Sequence, residues 1–276
     1  MKIALCIAGE TRDYNTFFGP DTIITHLMEN GHTVDIFGHT WNHCEKPVED
    51  IFKFKRLLIE DQLKVIEDWV NGYPEKRQFA YWDHENDGYG PLEDIEVTRA
   101  KIGQHVSGWK SLQMPETNEY DLFLRWRWDL KLEWNQTWLT LPGQQKRDPS
   151  IQPHDKTLLE SKIPVIKEMF NQWVDYVATK DDLPVILTDG HGWVGEYSWT
   201  IQDTHFFLNK SAHKNIKNTE WGPAIQKVWN ETSKCSSHML WNHLLIKAAK
   251  CVIRQSLPNA TAFTSIERHN VNELYR

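Results

Sequence analysis

Hydrophobic and polar positions along this chain fall into short blocks that can be read one element at a time. Lys2 to Ala8 is an apolar run with β-branched content that stops at Gly9, the pattern of a buried strand. Asp21 to Asn30 carries Ile23, Ile24, Leu27 and Met28 at helical spacing, and Gly31 follows as a stop. Thr33 to Phe37 is apolar again, a second strand. Strand, loop, helix and strand within roughly 40 residues make a βαβ opening, which favours a parallel pair joined by a right-handed crossover. Sheets of this kind bind ligands beyond the carboxyl ends of their strands, so Gly9 to Tyr14 and Gly38 to Trp41 are expected at one rim.

Further along, Ile51 to Trp69 reads as an amphipathic helix, and Tyr73 to Pro91 as a loop rich in Gly, Asp, Asn and aromatics. A helix is expected over Asp94 to Gln113, then a strand over Tyr120 to Trp128 that ends at Asp129. Leu141 to Asp155, with Pro142, Gly143, Pro149 and Pro153, reads as a loop or flap. Leu158 to Ala178 is helical in pattern, Val185 to Leu187 and His205 to Leu208 are strand-like, and His238 to Lys250 is helical. No internal repeat and no linker divides the chain, so the expectation is one α/β domain over residues 1–276. Its sheet should be mostly parallel and flanked by helices.

Composition narrows the field. The net charge of −7 argues against a general nucleic-acid binder, which needs a basic stripe to displace phosphate counterions. The opening residues lack the long apolar run of a signal peptide, and no stretch reaches the roughly 18 apolar residues of a membrane helix. Cys6, Cys44, Cys235 and Cys251 show no C-x-x-C spacing, and Cys6 and Cys251 sit in apolar runs as buried thiols do. A cytoplasmic location is therefore expected, that of the host if the source is viral. The N-x-T triplets at Asn135, Asn230 and Asn259 are read as chance matches. The 14 Trp residues fit two uses: filling a core, or stacking indoles on the C–H faces of sugars.

No P-loop, G-x-G-x-x-G, H-E-x-x-H or G-x-S-x-G pattern is present, which weighs against four large enzyme classes. Three segments could carry other chemistry. Gly9, Thr11, Arg12 and Tyr14 put a permissive backbone, a guanidinium and an aromatic just past a strand. That equips a nucleotide site, though an ordinary polar turn has the same residues. In Arg125-Trp126-Arg127-Trp128-Asp129, alternation sends Arg125, Arg127 and Asp129 to one sheet face and both Trp to the other. Such charges must face a cleft, an opposing charge set or solvent, and a structural ion-pair network is the plainer alternative. The run Thr188 to Tyr197 brings Asp189, His191, Trp193 and Glu196 among glycines, which suits a ligand loop or simply a tight turn.

These segments carry a resemblance. The opening I-A-L-C-I-A-G-E-T-R-D-Y, the later D-I-F-G-H-T-W and the central Y-D-L-F-L-R-W-R-W-D-L are similar to motifs of bacterial and viral polysaccharide glycosyltransferases with a GT-A-like fold. Asp203 to Phe207 and Ser237 to Leu244 agree more loosely with the same group. The resemblance implies a GT-A-like single domain, Rossmann-like in its N-terminal half, that transfers sugar from a nucleotide-sugar donor to a hydroxyl of a glycan or polysaccharide. Residues 1–130 would be the nucleotide-binding half and residues 131–276 the acceptor-binding half. Gly9, Thr11, Arg12 and Tyr14 would border the nucleotide. Arg125, Arg127 and Asp129 would stand where many such enzymes carry D-x-D, with Arg127 in place of the first acid. Asp129 would then hold Mn2+ or Mg2+ with other groups, or arginines would neutralise the diphosphate without metal. The base for the acceptor would come from Asp189, Glu196 or Asp203, with His243 as an outside candidate. Two rivals are a non-catalytic carbohydrate-binding relative and a nucleotidyltransferase, the second of which should show a paired-acid site.

Overall fold

The computed structural model describes residues 1–11, 19–43, 52–72, 80–83, 88–91, 95–128, 130–132, 156–188, 201, 205–224, 234–235, 237–255 and 264–266. In chain order the strands are β1 (Lys2–Ala8), β2 (Thr33–Trp41), β3 (Phe54–Glu60), β4 (Ala80–Asp83), β5 (Gly88–Pro91), β6 (Leu122–Arg127) and β7 (Leu130–Leu132). They continue with β8 (Val185–Thr188), β9 (His205–Asn209), β10 (Lys234–Cys235), β11 (Val252–Gln255) and β12 (Thr264–Ile266). The principal helices are α1 (Gly19–Glu29), α2 (Gln62–Gly72), α3 (Ile95–Gln113), α4 (Lys156–Thr179) and α5 (Lys210–Lys217).

Seven strands form the main sheet in the order β11-β8-β9-β6-β1-β2-β3. β6, β1, β2 and β3 run parallel, as do β8 and β11, while β9 is antiparallel to β6 and β8. The chain thus has the expected α/β architecture, a mostly parallel sheet flanked by helices. β1 is buried on both faces, which is why its sequence is a continuous apolar run rather than an alternating one. On one face Ile3, Leu5, Ile7, Leu124 and Trp126 pack with Ile23 and Leu27 of α1 and Phe170 and Val174 of α4. On the other, Ala4, Cys6 and Phe123 pack with Ile102, Val106 and Trp109 of α3 and Ile216 of α5. Each large apolar side chain removed from water here contributes roughly 1.5–3 kcal/mol.

Three expectations from the pattern are corrected. Residues 51–69 do not form one helix: Phe54–Glu60 is the edge strand β3, and α2 begins only at Gln62. The period of two in Phe52-Lys53-Phe54-Lys55 suits a strand, and pairing with β2 from Ile36 to Trp41 decides the outcome. Residues 73–91 contain the hairpin β4–β5, whose Tyr81, Trp82 and Tyr89 are strand formers set among Gly and Asp. Ser237–Asn242 is α-helical as the pattern predicts, but His243–Ala248 widens into a π-helix, and Lys250 then turns with φ of 57°. The short helix α5 lies outside the expected elements; the Asn209 side chain caps it by accepting from the Ala212 N–H. Among the described residues no helix is long and apolar enough to cross a membrane.

Candidate functional site

β2 and β3 lie to one side of β1 and β6 to the other. The strand order therefore reverses between β1 and β6, the kind of point at which open α/β sheets bind ligands beyond the carboxyl ends of their strands. Register fixes what flanks it. Ala8 pairs with His39 of β2 on one side and with Arg127 of β6 on the other. Arg127, Ala8 and His39 thus form a row on one face of the sheet, about 10 Å from end to end at two strand spacings. β9 enters at the same rim, with His205 opposite Trp126.

Gly9 opens the β1 loop with φ of 112°, a conformation in which an L side chain is strained. Both of its backbone groups are engaged: the N–H donates to Ser107 Oγ at 2.8 Å, and the carbonyl accepts from Thr40 Oγ1 at 3.0 Å. Ser107 Oγ lies 2.7 Å from Nδ1 of His39, whose Nε2 lies 2.8 Å from Glu60 Oε2, and Lys110 donates to that same oxygen. His39 and Ser107 are wholly buried. Burial lowers the His39 pKa to about 4, against the raising pull of Glu60, so the imidazole is neutral near pH 7. Burial alone would raise the Glu60 carboxyl, but hydrogen bonds from Lys110 and His39 carry it below its ordinary value. A carboxylate only accepts, so Nε2 of His39 bears the proton and Nδ1 accepts from the Ser107 hydroxyl. Every donor in the chain from Gly9 to Glu60 therefore points the same way. The residue types are those of a hydrolytic triad, yet the serine is buried and already accepts a backbone N–H, so it has no access to a substrate carbonyl.

The structure brings part of the expected constellation together. Gly9 and the buried Thr11 lie at the rim, and Arg127 ends β6 there half-buried. Arg125 is in the interior instead, its guanidinium carbon 5.3 Å from the Trp241 ring centre and 5.9 Å from that of Phe206. Gly108 of α3 makes room for this stack, since a Cβ there would lie 2.8 Å from Trp241 Cζ2 and 3.2 Å from Arg125 Nε. Trp126 and Trp128 occupy the opposite face, as alternation predicts. His243 is buried within the π-helix. Arg12, Tyr14, Asp129, Asp189, His191, Trp193, Glu196 and Asp203 lie outside the described residues; the described neighbours Thr11, Trp128, Thr188 and His205 flank them. Ile201 is held by Asn242, whose Oδ1 accepts its N–H at 2.8 Å.

Trp41, Trp109, Trp126, Trp128 and Trp241 are buried and Trp221 is half-buried, so these six serve the core rather than a sugar-stacking surface. Cys6 and Cys251 are buried free thiols, as expected. Among the described residues no group of three or more His, Cys, Asp or Glu side chains could hold a metal ion. Sequence reasoning missed the Ser107–His39–Glu60–Lys110 chain. Its visible trace is Ser107 inside an otherwise ordinary helix, a small hydroxyl residue with no partner in the local sequence.

No protein-family model matches the chain, and no curated protein matches it. Among solved structures it is similar to mouse xyloside xylosyltransferase 1 in its apo form, at 7% identity, with 92% of this chain and 83% of that chain covered and a TM-score of 0.42.

Proposed function

We propose that this chain is a nucleotide-sugar-dependent glycosyltransferase that moves a sugar to a hydroxyl of a glycan or polysaccharide acceptor in the cytoplasm. The observation that supports the reading best is the reversal of strand order between β1 and β6, with Gly9 and Thr11 after one strand and Arg127 at the end of the other. Departure of a nucleoside diphosphate chiefly needs its developing charge stabilised, and a guanidinium at a strand's carboxyl end serves that need. In this proposal Arg12 and Tyr14 join Gly9 and Thr11 around the nucleotide, while Arg125 acts from beneath as a fixed positive charge. Asp129 would hold Mn2+ or Mg2+ beside the diphosphate. Asp189, Glu196 or Asp203 would accept the proton of the acceptor hydroxyl in an inverting reaction. Residues 1–130 then present the donor and residues 131–276 the acceptor.

A thermal-shift panel of nucleoside diphosphates and nucleotide sugars, with and without manganese, tests this on wild type and Arg127→Ala. One nucleotide should stabilise the wild type, and the substitution should weaken its binding about tenfold or more, the loss of one charge-assisted contact. The manganese arm shows whether a metal belongs to the site. No shift with any nucleotide, together with no sugar transfer or donor hydrolysis, would sink the reading and favour a glycan-binding protein without chemistry.

A further inference from the structure

We infer that Ser107, His39 and Glu60 are positioning residues: a directed hydrogen-bond chain anchors the Gly9 turn, where the donor loop begins, to α3 and β3. Its role in donor binding rests on the transferase reading above; its role in fixing the turn does not. The chain ties together four elements that are far apart in sequence, through contacts of 2.7–2.8 Å between Gly9 and Glu60. Gly9 has no side chain of its own to hold the turn, and its φ of 112° is one of many that glycine visits freely, so contacts from outside must select it. Ser107 supplies that support from helix α3 and Thr40 from strand β2, gripping the N–H and the carbonyl of the same residue. Trp128 Nε1 adds a tie to the His39 carbonyl at 3.3 Å, so the strand bearing Arg127 leans on the same histidine. A change at Glu60, on the edge strand, therefore reaches the Gly9 turn through the His39 ring and Ser107. Lys110 completes the set by keeping Glu60 an acceptor.

Amide hydrogen exchange at Gly9, read without any nucleotide, tests the anchor. Ser107→Ala removes the acceptor, and Gly9 exchange should rise about tenfold or more. Glu60→Ala should raise it as well, whereas Glu60→Gln, whose amide oxygen still accepts from His39 Nε2, should restore most of the protection. If Ser107→Ala fails to fold, the Glu60 pair alone carries the comparison. Unchanged Gly9 exchange in folded Ser107→Ala or Glu60→Ala overturns the inference whatever the protein binds. The second readout is kinetic, with the nucleotide sugar whose diphosphate stabilises the wild type. The fast-exchanging variants should raise its KM several-fold with a smaller change in kcat, and Glu60→Gln should rescue it. A wild type that binds no nucleotide but shows the exchange pattern sinks the transferase reading and keeps the anchor.

Discussion

The two ends of the parallel strands carry similar chemistry in different surroundings. At the amino end Lys2, Asp35, Lys55, Glu119 and Tyr120 make a dense charged cluster. Lys55 Nζ reaches Glu119 at 2.7 Å, Tyr120 at 2.6 Å and Asp35 at 3.2 Å. Its lysines and carboxylates are open to water, with the Lys55 side chain 40% exposed and that of Glu119 47%, while the Tyr120 ring is buried. At the carboxyl end the cluster is smaller, but His39 and Ser107 have no exposure at all and the Glu60 side chain is 25% exposed. Water can replace the ion-pair partners lost from the first cluster and few lost from the second. Burial, rather than the number of ion pairs, decides what each network fixes. The carboxyl end is also where Gly9 and Arg127 flank the reversal of strand order between β1 and β6.

If burial is the deciding variable, a buried polar group at the amino end must behave like those at the carboxyl end. Asn209 provides that test, since it pairs with Leu122 at the start of β6. Its side chain accepts from the N–H groups of Val185 and Ala212 and donates to the carbonyls of Lys180 and Leu183. Asn209→Ala should cost about 3 kcal/mol, the largest effect predicted here, through several buried partners left without a bond. Urea unfolding measures it, and a loss under about 1 kcal/mol would break the comparison. Next in size is Glu60→Ala, expected to cost about 2 kcal/mol because it leaves the buried His39 Nε2–H without its acceptor. Glu60→Gln should lose clearly less, and equal losses would mean that charge rather than the hydrogen bond matters there.

The first βαβ unit was legible because its signals are local: an apolar run, Gly9, the spacing from Ile23 to Leu27 and Gly31 all lie within one short stretch. β3 was not, because an edge strand is made by its neighbour, and the charged side chains of 53–56 fit a helix face equally well. Arg125 shows the same gap within the site. Alternation placed it on the correct face of β6, but only the three-dimensional packing of Gly108, Trp241 and Phe206 reveals an interior slot lined by rings. The Ser107–His39–Glu60 chain joins residues 21 to 68 positions apart, so no window of sequence contains it.

Acid separates the buried groups from the exposed cluster. Burial lowers the pKa of His39 and of His213 to about 4 from 6.5; His213 is stacked on Phe123 and bonded to the Leu112 carbonyl. Between pH 6.5 and 4 the unfolded chain binds the extra protons, so stability falls as pH falls through that window. Each histidine sets a limit of about 1.4 kcal/mol per pH unit on the slope. The exposed amino-end carboxylates behave differently. Hydrogen bonds to Tyr120 and Lys55 outweigh burial and lower Asp35, and Glu119 is lowered chiefly by Lys55. Their contribution is present above their unfolded pKa and is lost only below about pH 4. His213→Gln should therefore flatten the pH 6.5 to 4 limb of a melting-temperature profile and leave the limb below pH 4 in place. An unchanged upper limb would show that His213 is not held neutral.

The smallest effect belongs to the busiest-looking residue. Lys55 touches two carboxylates and a phenol and lies 5.0 Å from the Tyr120 ring centre, and its pKa is raised chiefly by Glu119. Lys55→Ala removes all of these contacts. Even so, Lys2 remains 3.6 Å from Asp35 and 4.7 Å from the Tyr120 ring centre, the Tyr120 hydroxyl still donates to Asp35 at 2.8 Å, and water reaches both carboxylates. Exposed ion pairs are screened by salt and held at a cost in side-chain entropy, so the melting temperature should move little at low ionic strength and less at high. A drop comparable to that of Glu60→Ala, persisting in high salt, would show that the amino-end cluster is a structural unit and that exposure does not discount it. A small, salt-sensitive drop leaves burial as what distinguishes the two ends. It would also explain how the carboxyl end fixes its glycine turn with fewer charges.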